Sequence, residues 1–407
     1  MTTRDLALPP TLDELSGTRL LLLACFGLCV GQGVYLASSW FFGQWIVDPN
    51  GHGIPTDFVN VWAAGQLVLE GRAADAYDWA IQKQVENAAI GYNFSGHYGW
   101  HYPPPFLAVA ALLALLPYAT AYALWVAITL PPYIATVRWI VNHRIGYLIA
   151  GAFPAALSNA MVGQNGFLTA SLIGGTLGFL DRRPVIAGCC LGLLTYKPHF
   201  GILFPLVFVL TGRWTVLITA AVVATTMMLS SWALFGVESW EAFFRWLPAT
   251  SKAFLSDGHA DFAKLQSVFG LVRAAGGSES IAWLAHGPIA AAAAVAVCLA
   301  WRAKYPYELK AAALATAVLL MTPYVYLYDM VVLAIAVAFL IRHATLAGIR
   351  TGEYLGLAAM AALLIIFPLV KLPVGLAATF IVAVMIANRC FFAPEPASPL
   401  LAAGRSQ

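Results

Sequence analysis

Residues 184–211, PVIAGCCLGLLTYKPHFGILFPLVFVLT, form a long apolar stretch that contains a single lysine. A helix that crosses a bilayer needs about 20 predominantly apolar residues, and comparable runs recur along this chain. An unpaired strand cannot satisfy its backbone polar groups in lipid, and the alternation typical of barrel strands does not recur. The sequence therefore predicts an all-α polytopic membrane protein, with 1–407 as a single integral membrane domain.

Composition supports the same class. Of the 407 residues, 61% are hydrophobic and 10% are charged, whereas soluble domains carry about 25% charged residues. A soluble enzyme and a disordered chain are excluded. A net charge of +3 provides no phosphate-neutralising patch, so no nucleic-acid partner is expected. The six cysteines lie in apolar runs without metal-ligand spacing, and we expect neither a metal nor a cofactor.

Apolar runs predict about twelve transmembrane helices. We treat the short run at 104–116 as a re-entrant or interfacial segment, because a full span there would turn the basic pair Arg182-Arg183 to the outside. The predicted spans are 20–46, 118–139, 145–161, 166–180, 184–197, 198–211, 214–235, 282–301, 309–323, 328–342, 353–370 and 373–389.

The distribution of Lys and Arg predicts the orientation. Most of the basic residues fall in segments that are cytoplasmic when both termini are inside. Two long polar stretches, 48–103 and 236–281, then become outer loops, and the first contains helical patterns suited to the membrane interface. We expect a multi-pass protein of the inner (plasma) membrane, with its chemistry on the periplasmic or extracellular face.

Asp57 is a candidate catalytic base in the first outer loop. It follows Pro55-Thr56 at the predicted boundary between membrane and water. Partial desolvation there would raise its pKa and suit it to accept a proton. The alternative is that Asp57 caps the helix that begins at Phe58.

Lys197 is the candidate for binding a donor phosphate. It interrupts an apolar region and precedes Pro198, which breaks the helix, and His199 follows. An ionisable residue at membrane depth suggests a functional site, and a lysine binds phosphate as a point charge. The alternative is a lysine whose ammonium reaches the outer headgroups.

Three further polar interruptions supply candidate sugar or acceptor ligands. Gly163-Gln164-Asn165-Gly166 separates two apolar runs, and its amides need partners at membrane depth. The stretches 99–106 and 322–329 combine aromatic residues with prolines, so they suit either an interfacial aromatic belt or sugar stacking. The candidate sugar and acceptor ligands are His101, Tyr102, Gln164, Asn165, Tyr324, Tyr328 and Asp329.

Four separated motifs together resemble glycosyltransferase family 87, which includes polyprenyl-phosphomannose-dependent mannosyltransferases. The resemblance runs from about 20 to 345. The matching motifs are Asp57 with Gly71 and Ala76-Tyr77-Asp78, Tyr102-Pro103-Pro104, Gly163-Gln164-Asn165, and Ala187-Gly188 with Gly192 and Lys197-Pro198.

The resemblance implies a GT-C-type membrane glycosyltransferase with a polyprenyl-phosphate sugar donor, a lipid or glycan acceptor and an acidic residue in the first outer loop. Asp57 matches that acidic position. Phe58 stands where many GT-C relatives carry a second acidic residue, so a metal-independent, inverting displacement is favoured. Asp57 would be the base, and Lys197 with His199 would bind the phosphate. Mannose or another hexose or pentose is expected.

Two other functions are compatible with parts of this pattern. A secondary transporter, or a flippase of a lipid-linked or small polar substrate, would suit the broken helices. The two halves of the chain do not match, however, and long outer loops suit an enzyme better. A scaffold subunit of an envelope-polysaccharide complex would leave Asp57 and Lys197 without a role, and alanine at either position would then be harmless.

Overall fold

The computed structural model describes residues 12–96, 98–259 and 261–392. In this part of the chain the fold is helical, and the extended backbone is limited to isolated bridges between residues 45 and 53. The helices are α1 (Leu12–Phe41), α2 (Phe58–Leu69), α3 (Trp79–Ile90), α4 (Leu107–Ala114), α5 (Tyr118–Val141), α6 (Ile145–Ala152), α7 (Pro154–Val162), α8 (Gly166–Phe179), α9 (Pro184–Leu193), α10 (Leu203–Leu210), α11 (Trp214–Ser251), α12 (Val268–Ala274), α13 (Glu279–Arg302), α14 (Tyr307–Met321), α15 (Leu333–Ala347), α16 (Thr351–Val370) and α17 (Val374–Phe391).

Seven helices within the described residues are long and apolar enough to cross a membrane, and the bent pair α6–α7 would make eight. The two halves of that pair meet at an angle of 57°. The seven are Arg19–Phe41, Tyr118–Val141, Trp214–Ser256, Glu279–Arg302, Leu327–Thr345, Thr351–Val370 and Val374–Phe391. The prediction of an all-α polytopic membrane protein is confirmed.

The count of twelve spans stays a prediction. Each of the twelve predicted runs contains a helix, but several are short: α8 has 14 residues, α10 has 8 and α14 has 15. At 1.5 Å per residue, a 14-residue helix is about 21 Å long, less than the roughly 30 Å hydrocarbon core. Helix α8 begins directly after the interruption at Gly163–Asn165, and α10 follows the interruption at Lys197.

Burial separates a lipid-facing periphery from a central core. Only 6% of the Arg19–Phe41 span is buried inside the protein, whereas 78% of Leu327–Thr345 is buried. Large apolar side chains such as Leu23, Leu284 and Leu369 are exposed on the outer helices, as expected when lipid rather than water surrounds them. The central helix α15 follows the turn Leu327–Val332, so this turn is anchored in the most buried part of the fold.

Helix α9 packs closely on α11 through two glycines. A β-carbon at Gly188 would lie 2.5 Å from Thr219, and one at Gly192 would lie 2.6 Å from Val223. Small residues spaced by four let membrane helices approach this closely. Helix packing thus explains why Gly188 and Gly192 occur in this motif. The close packing on α11 also fixes the position of α9, which ends just before Lys197.

The two predicted outer stretches are largely helical. Stretch 48–103 contains α2, the short turn Ala73–Tyr77 and α3, and α2 is mostly buried against neighbouring helices. In stretch 236–281, α11 continues as far as Ser251, with a break at Gly236, where φ is 76°. That break coincides with the predicted end of the span 214–235. The side of the membrane stays a prediction, and both chain ends lie outside the described residues.

Candidate active site

The site is assembled from four interruptions of the helical fold. Asp57 stands at the start of α2, and Gln164-Asn165 joins α7 to α8. Lys197 lies between two single-turn helices, Leu194–Tyr196 and Pro198–Phe200. Asp329 lies in the turn Leu327–Val332. Residues separated by more than a hundred positions are therefore brought into one polar network inside an apolar protein.

Asp57 is held by a neighbouring segment and not by its own helix. It occupies the N-cap position of α2, yet its side chain makes no capping hydrogen bond. The amide Nε2 of Gln164 instead donates to Oδ2 of Asp57 at 3.1 Å. Oε1 of Gln164 accepts from the Tyr102 hydroxyl at 3.0 Å. The capping interpretation accounts for the backbone position of Asp57 but not for the contacts of its carboxylate.

Gly163 permits this contact between α2 and the α7–α8 junction. Its φ is 65°, in the left-handed region that glycine adopts readily. A β-carbon at position 163 would lie 2.7 Å from the β-carbon of Phe58 and 2.7 Å from the Tyr122 ring. The glycine of this motif is therefore required for the close approach that brings Gln164 to Asp57.

Lys197 is a buried member of the same network. Its Nζ lies 2.6 Å from Oδ1 of Asp329, and the two side chains are 8% and 2% exposed. The same ammonium donates to Oδ1 of Asn165 at 2.9 Å. Oδ2 of Asp329 accepts from the backbone N–H of Tyr326 at 3.0 Å. The Lys197 ammonium is held by partners inside the protein, and its charge is balanced by Asp329.

The environment of Asp57 shifts its pKa upward. Desolvation by burial raises the pKa of Asp57 above its usual range, and the charge on Asp329 acts in the same direction. Hydrogen bonds from Gln164 and Tyr328 and the positive charge of Lys264 oppose this rise in pKa. A carboxylate with a raised pKa accepts a proton more readily than one in water.

The two predicted histidines have buried ring nitrogens without partners in the described part of the chain: Nδ1 of His101 and Nε2 of His199. The His101 ring contacts Phe254 and Trp79, with centroids 4.8 Å and 5.8 Å away. Desolvation lowers the pKa of His101 to about 4, so its imidazole is neutral near pH 7. A neutral ring can offer one hydrogen bond to a polar ligand.

The predicted tyrosines divide between two places. Tyr102 and Tyr328 belong to the network, since Tyr102 donates to Gln164 and the Lys197 ammonium lies 5.6 Å from the Tyr328 ring centroid. The Tyr324 hydroxyl instead donates to Oγ of Ser251 at 3.0 Å. It packs with Leu265 and Phe269 in a small separate core.

Lys264 is the charged residue near the site that sequence reasoning missed. Its side chain is exposed, and it has no ion-pair partner within the residues the structure describes. Its segment is fixed to the 322–329 turn, because the N–H of Gln266 donates to the carbonyl of Val325 at 2.6 Å and Ser267 donates to that of Pro323 at 2.9 Å. A lysine in a polar loop carries no pattern that predicts this placement.

A model of glycosyltransferase family 87 matches residues 100–323, more than half of the chain. The chain belongs to glycosyltransferase family 87. The family 87 match includes Tyr102, Gln164, Asn165 and Lys197, while Asp57 lies before it and Asp329 after it. No curated protein and no solved structure matches the chain.

Family membership confirms the resemblance found from the sequence motifs. Together with the apolar helices, it makes this family 87 chain a multi-pass membrane glycosyltransferase that acts on a sugar donor and an acceptor. Within the described residues, no group of three His, Cys, Asp or Glu side chains is arranged to hold a metal ion.

Proposed function

We propose that this enzyme transfers a sugar from a polyprenyl-phosphate donor to a lipid or glycan acceptor, with Asp57 as the general base. The observation that carries the proposal is the hydrogen bond from Gln164 to Asp57 at 3.1 Å, which orients a partly buried carboxylate that its own helix leaves uncapped. A sugar attached to a membrane lipid suits an enzyme whose polar network lies between apolar helices.

The chemistry is an inverting displacement. Asp57 accepts the proton of the acceptor hydroxyl, and the acceptor oxygen attacks the anomeric carbon from the face opposite the phosphate. The new carbon–oxygen bond forms as the bond from the anomeric carbon to the phosphate oxygen breaks. The electron pair of that bond remains on the departing polyprenyl phosphate, which therefore gains negative charge.

The departing phosphate needs positive charge that Lys197 supplies only in part. Lys197 already donates to Asp329 and Asn165, so one of its three ammonium hydrogens is left for a substrate oxygen. Lys264 has no ion-pair partner among the described residues, and its positive charge lowers the pKa of Asp57. In our proposal Lys264 neutralises the phosphate, while Lys197 and His199 contribute hydrogen bonds.

Polar side chains around Asp57 would orient the sugar and the acceptor. Tyr102, Gln164 and Asn165 form a continuous hydrogen-bonded edge from Asp57 to Lys197. The hydroxyl of Tyr328 hydrogen-bonds to Asp57 as well. In our proposal the unpartnered nitrogen of His101 binds a hydroxyl of the sugar or the acceptor. We assign Tyr324 and Asp329 supporting parts, since Asp329 holds Lys197 and Tyr324 holds the 322–329 turn against Ser251.

The proposal places the reaction on the outer face of the plasma membrane. The basic turn Arg182-Arg183 lies at the opposite end of α8 from Asn165, and the positive-inside rule favours a cytoplasmic position for such a turn. Asp329 is already paired with Lys197, and Phe58 rather than a second acidic residue follows Asp57, so a metal-independent reaction is favoured. A mannosyl or another hexosyl or pentosyl donor fits this scheme.

The test is incubation of the purified chain with a panel of polyprenyl-phosphate sugars and membrane lipid extract, followed by mass spectrometry of the lipids. We expect one donor to be consumed, with release of polyprenyl phosphate and one sugar mass added to an acceptor. Donor consumption by the Asp57→Asn variant at the wild-type rate would contradict the assignment of the base. Movement of intact donor across vesicles without bond cleavage would instead establish the transporter or flippase alternative.

A further inference from the structure

A cavity of about 440 Å³ lies far from the Asp57 network. It is formed where α10 ends, α11 begins, α13 ends and α14 begins. The 322–329 turn of the active site follows the other end of α14, whose 15 residues extend over about 22 Å. The lining residues are Leu210, Thr211, Arg213, Trp301, Arg302, Tyr305, Tyr307 and Lys310.

The cavity is positively charged. Its lining contains three cationic side chains and no carboxylate. Arg213 is partly neutralised by Asp181, which lies 2.7 Å away outside the lining. Lys310 donates to the carbonyl of Trp301 at 3.1 Å, a neutral partner. Arg302 is exposed and makes no ion pair or side-chain hydrogen bond within the described residues. An anionic ligand would therefore meet at least two uncompensated cations.

Two aromatic walls of the cavity are fixed in place. The Trp301 indole donates to the carbonyl of Lys310 at 2.9 Å, and the Tyr307 hydroxyl donates to the carbonyl of Leu177. Trp and Tyr are enriched where lipid headgroups meet the hydrocarbon, since each ring combines an apolar body with a polar atom.

Apolar side chains continue outward from the cavity along the adjoining helices. Val209 on α10 is 50% exposed, Ile218 on α11 is 63% exposed, and Leu299 on α13 is 63% exposed. A free phosphate would use only the cationic lining. A phospholipid would use both the cations, through its headgroup, and the exposed apolar surface, through its acyl chains.

We propose that this cavity binds the headgroup of an anionic phospholipid, with its phosphate against Arg302 and Lys310 and its acyl chains along α10, α11 and α13. Basic pockets between membrane helices suit such headgroups, and each Lys or Arg contributes about 1 kcal/mol near an anionic membrane surface. The proposed lipid site is independent of the sugar donor and of the proposed reaction.

The test measures binding to the purified full-length chain in neutral detergent. Thermal unfolding and native mass spectrometry are recorded with phosphatidylglycerol, with phosphatidylcholine and with inorganic phosphate. We expect phosphatidylglycerol to raise the unfolding temperature and to remain bound, while the other two probes have little effect. Equal stabilisation by both lipids, or full stabilisation by inorganic phosphate alone, would overturn the proposal.

Arg302→Gln is the informative variant, because among the described residues Arg302 has no side-chain partner whose loss would disturb folding. Its matched control is Lys304→Gln, an exposed residue of the same connection that does not line the cavity. We expect Arg302→Gln to weaken phosphatidylglycerol binding about fivefold and Lys304→Gln to leave it within twofold. Equal effects of the two variants would also overturn the proposal, since a diffuse surface charge would then explain the binding.

Discussion

Breaking the buried pair between Lys197 and Asp329 should strongly destabilise the protein. The two charged atoms are 2.6 Å apart, and the side chains are 8% and 2% exposed, so water screens the pair little. Lys197→Met leaves the Asp329 carboxylate buried without its counter-ion, which costs about 3–5 kcal/mol in such pairs. The backbone N–H of Tyr326 still donates to Asp329, so we expect about 3 kcal/mol.

The double variant Lys197→Met/Asp329→Leu distinguishes the cost of an unpaired buried charge from the cost of changed side-chain shape. It removes both charges and leaves Asn165 and the Tyr326 N–H each short of one hydrogen bond, a loss of about 2 kcal/mol in total. The double variant should therefore be more stable than Lys197→Met alone. The exposed control Lys304→Met should change stability by less than about 0.5 kcal/mol.

Denaturant titration in mixed micelles, followed by far-UV circular dichroism, gives the required differences in unfolding free energy. The expected signature is a favourable coupling energy between positions 197 and 329. If the losses of unfolding free energy of Lys197→Met and Asp329→Leu were additive, the double variant would be less stable than either single variant. That result would refute the account of Lys197 as a charge stabilised by Asp329.

The remaining predictions concern the surroundings of Asp57. Gly163→Ala forces an unfavourable left-handed backbone and a clash with Phe58, so unfolding measurements should show a loss of about 1–3 kcal/mol, and an unchanged midpoint would contradict the close approach. Gln164→Leu removes the donor to Asp57 and the acceptor of Tyr102, and stability should fall by about 1–3 kcal/mol together with turnover; full activity would show that the contact is dispensable. Asp57 must be ionised to act as a base, so activity should fall as the pH drops through its raised pKa, in a range above the ordinary aspartate pKa of about 3.9. Lys264→Met removes a charge that lowers this pKa, so the acidic limb of the pH–rate profile should move to higher pH; a shift to lower pH would contradict the proximity of Lys264. Among the other groups that face Asp57, the charge of Asp329 raises this pKa, and hydrogen bonds from Gln164 and Tyr328 lower it.

The sequence was sufficient to predict the fold class and the places where the chain is interrupted. Continuous apolar runs define helices, and each predicted run contains one. Span number could not be fixed in this way, because hydropathy does not distinguish a full crossing from a short helix such as α8 or α10. Those helices are short because the chain breaks at Asn165 and Lys197, where polar side chains meet partners from distant segments.

The sequence indicates which residues belong to the site better than it indicates which of them contact each other. Lys197 and Asp329 were both singled out, but 132 positions separate them, and nothing local to either residue indicates their ion pair. The sequence around Asp57 is equally compatible with a helix cap, and the contact with Gln164, 107 positions away, distinguishes the two roles. Lys264 lies in a polar loop, and its proximity to Asp57 depends on how that loop packs against the 322–329 turn.

The most direct test of the central claim is the single-turnover rate of Asp57→Asn, measured with the sugar donor that the wild-type protein consumes. Asparagine keeps the shape of the side chain and an amide oxygen that can accept the hydrogen bond from Gln164, so the fold should be unaffected, as thermal unfolding will verify. Loss of a general base slows a reaction by about 10²–10⁴-fold, and we expect a decrease in this range with donor binding preserved. Sugar transfer by the folded Asn variant at near the wild-type rate would contradict the assignment of Asp57 as the base.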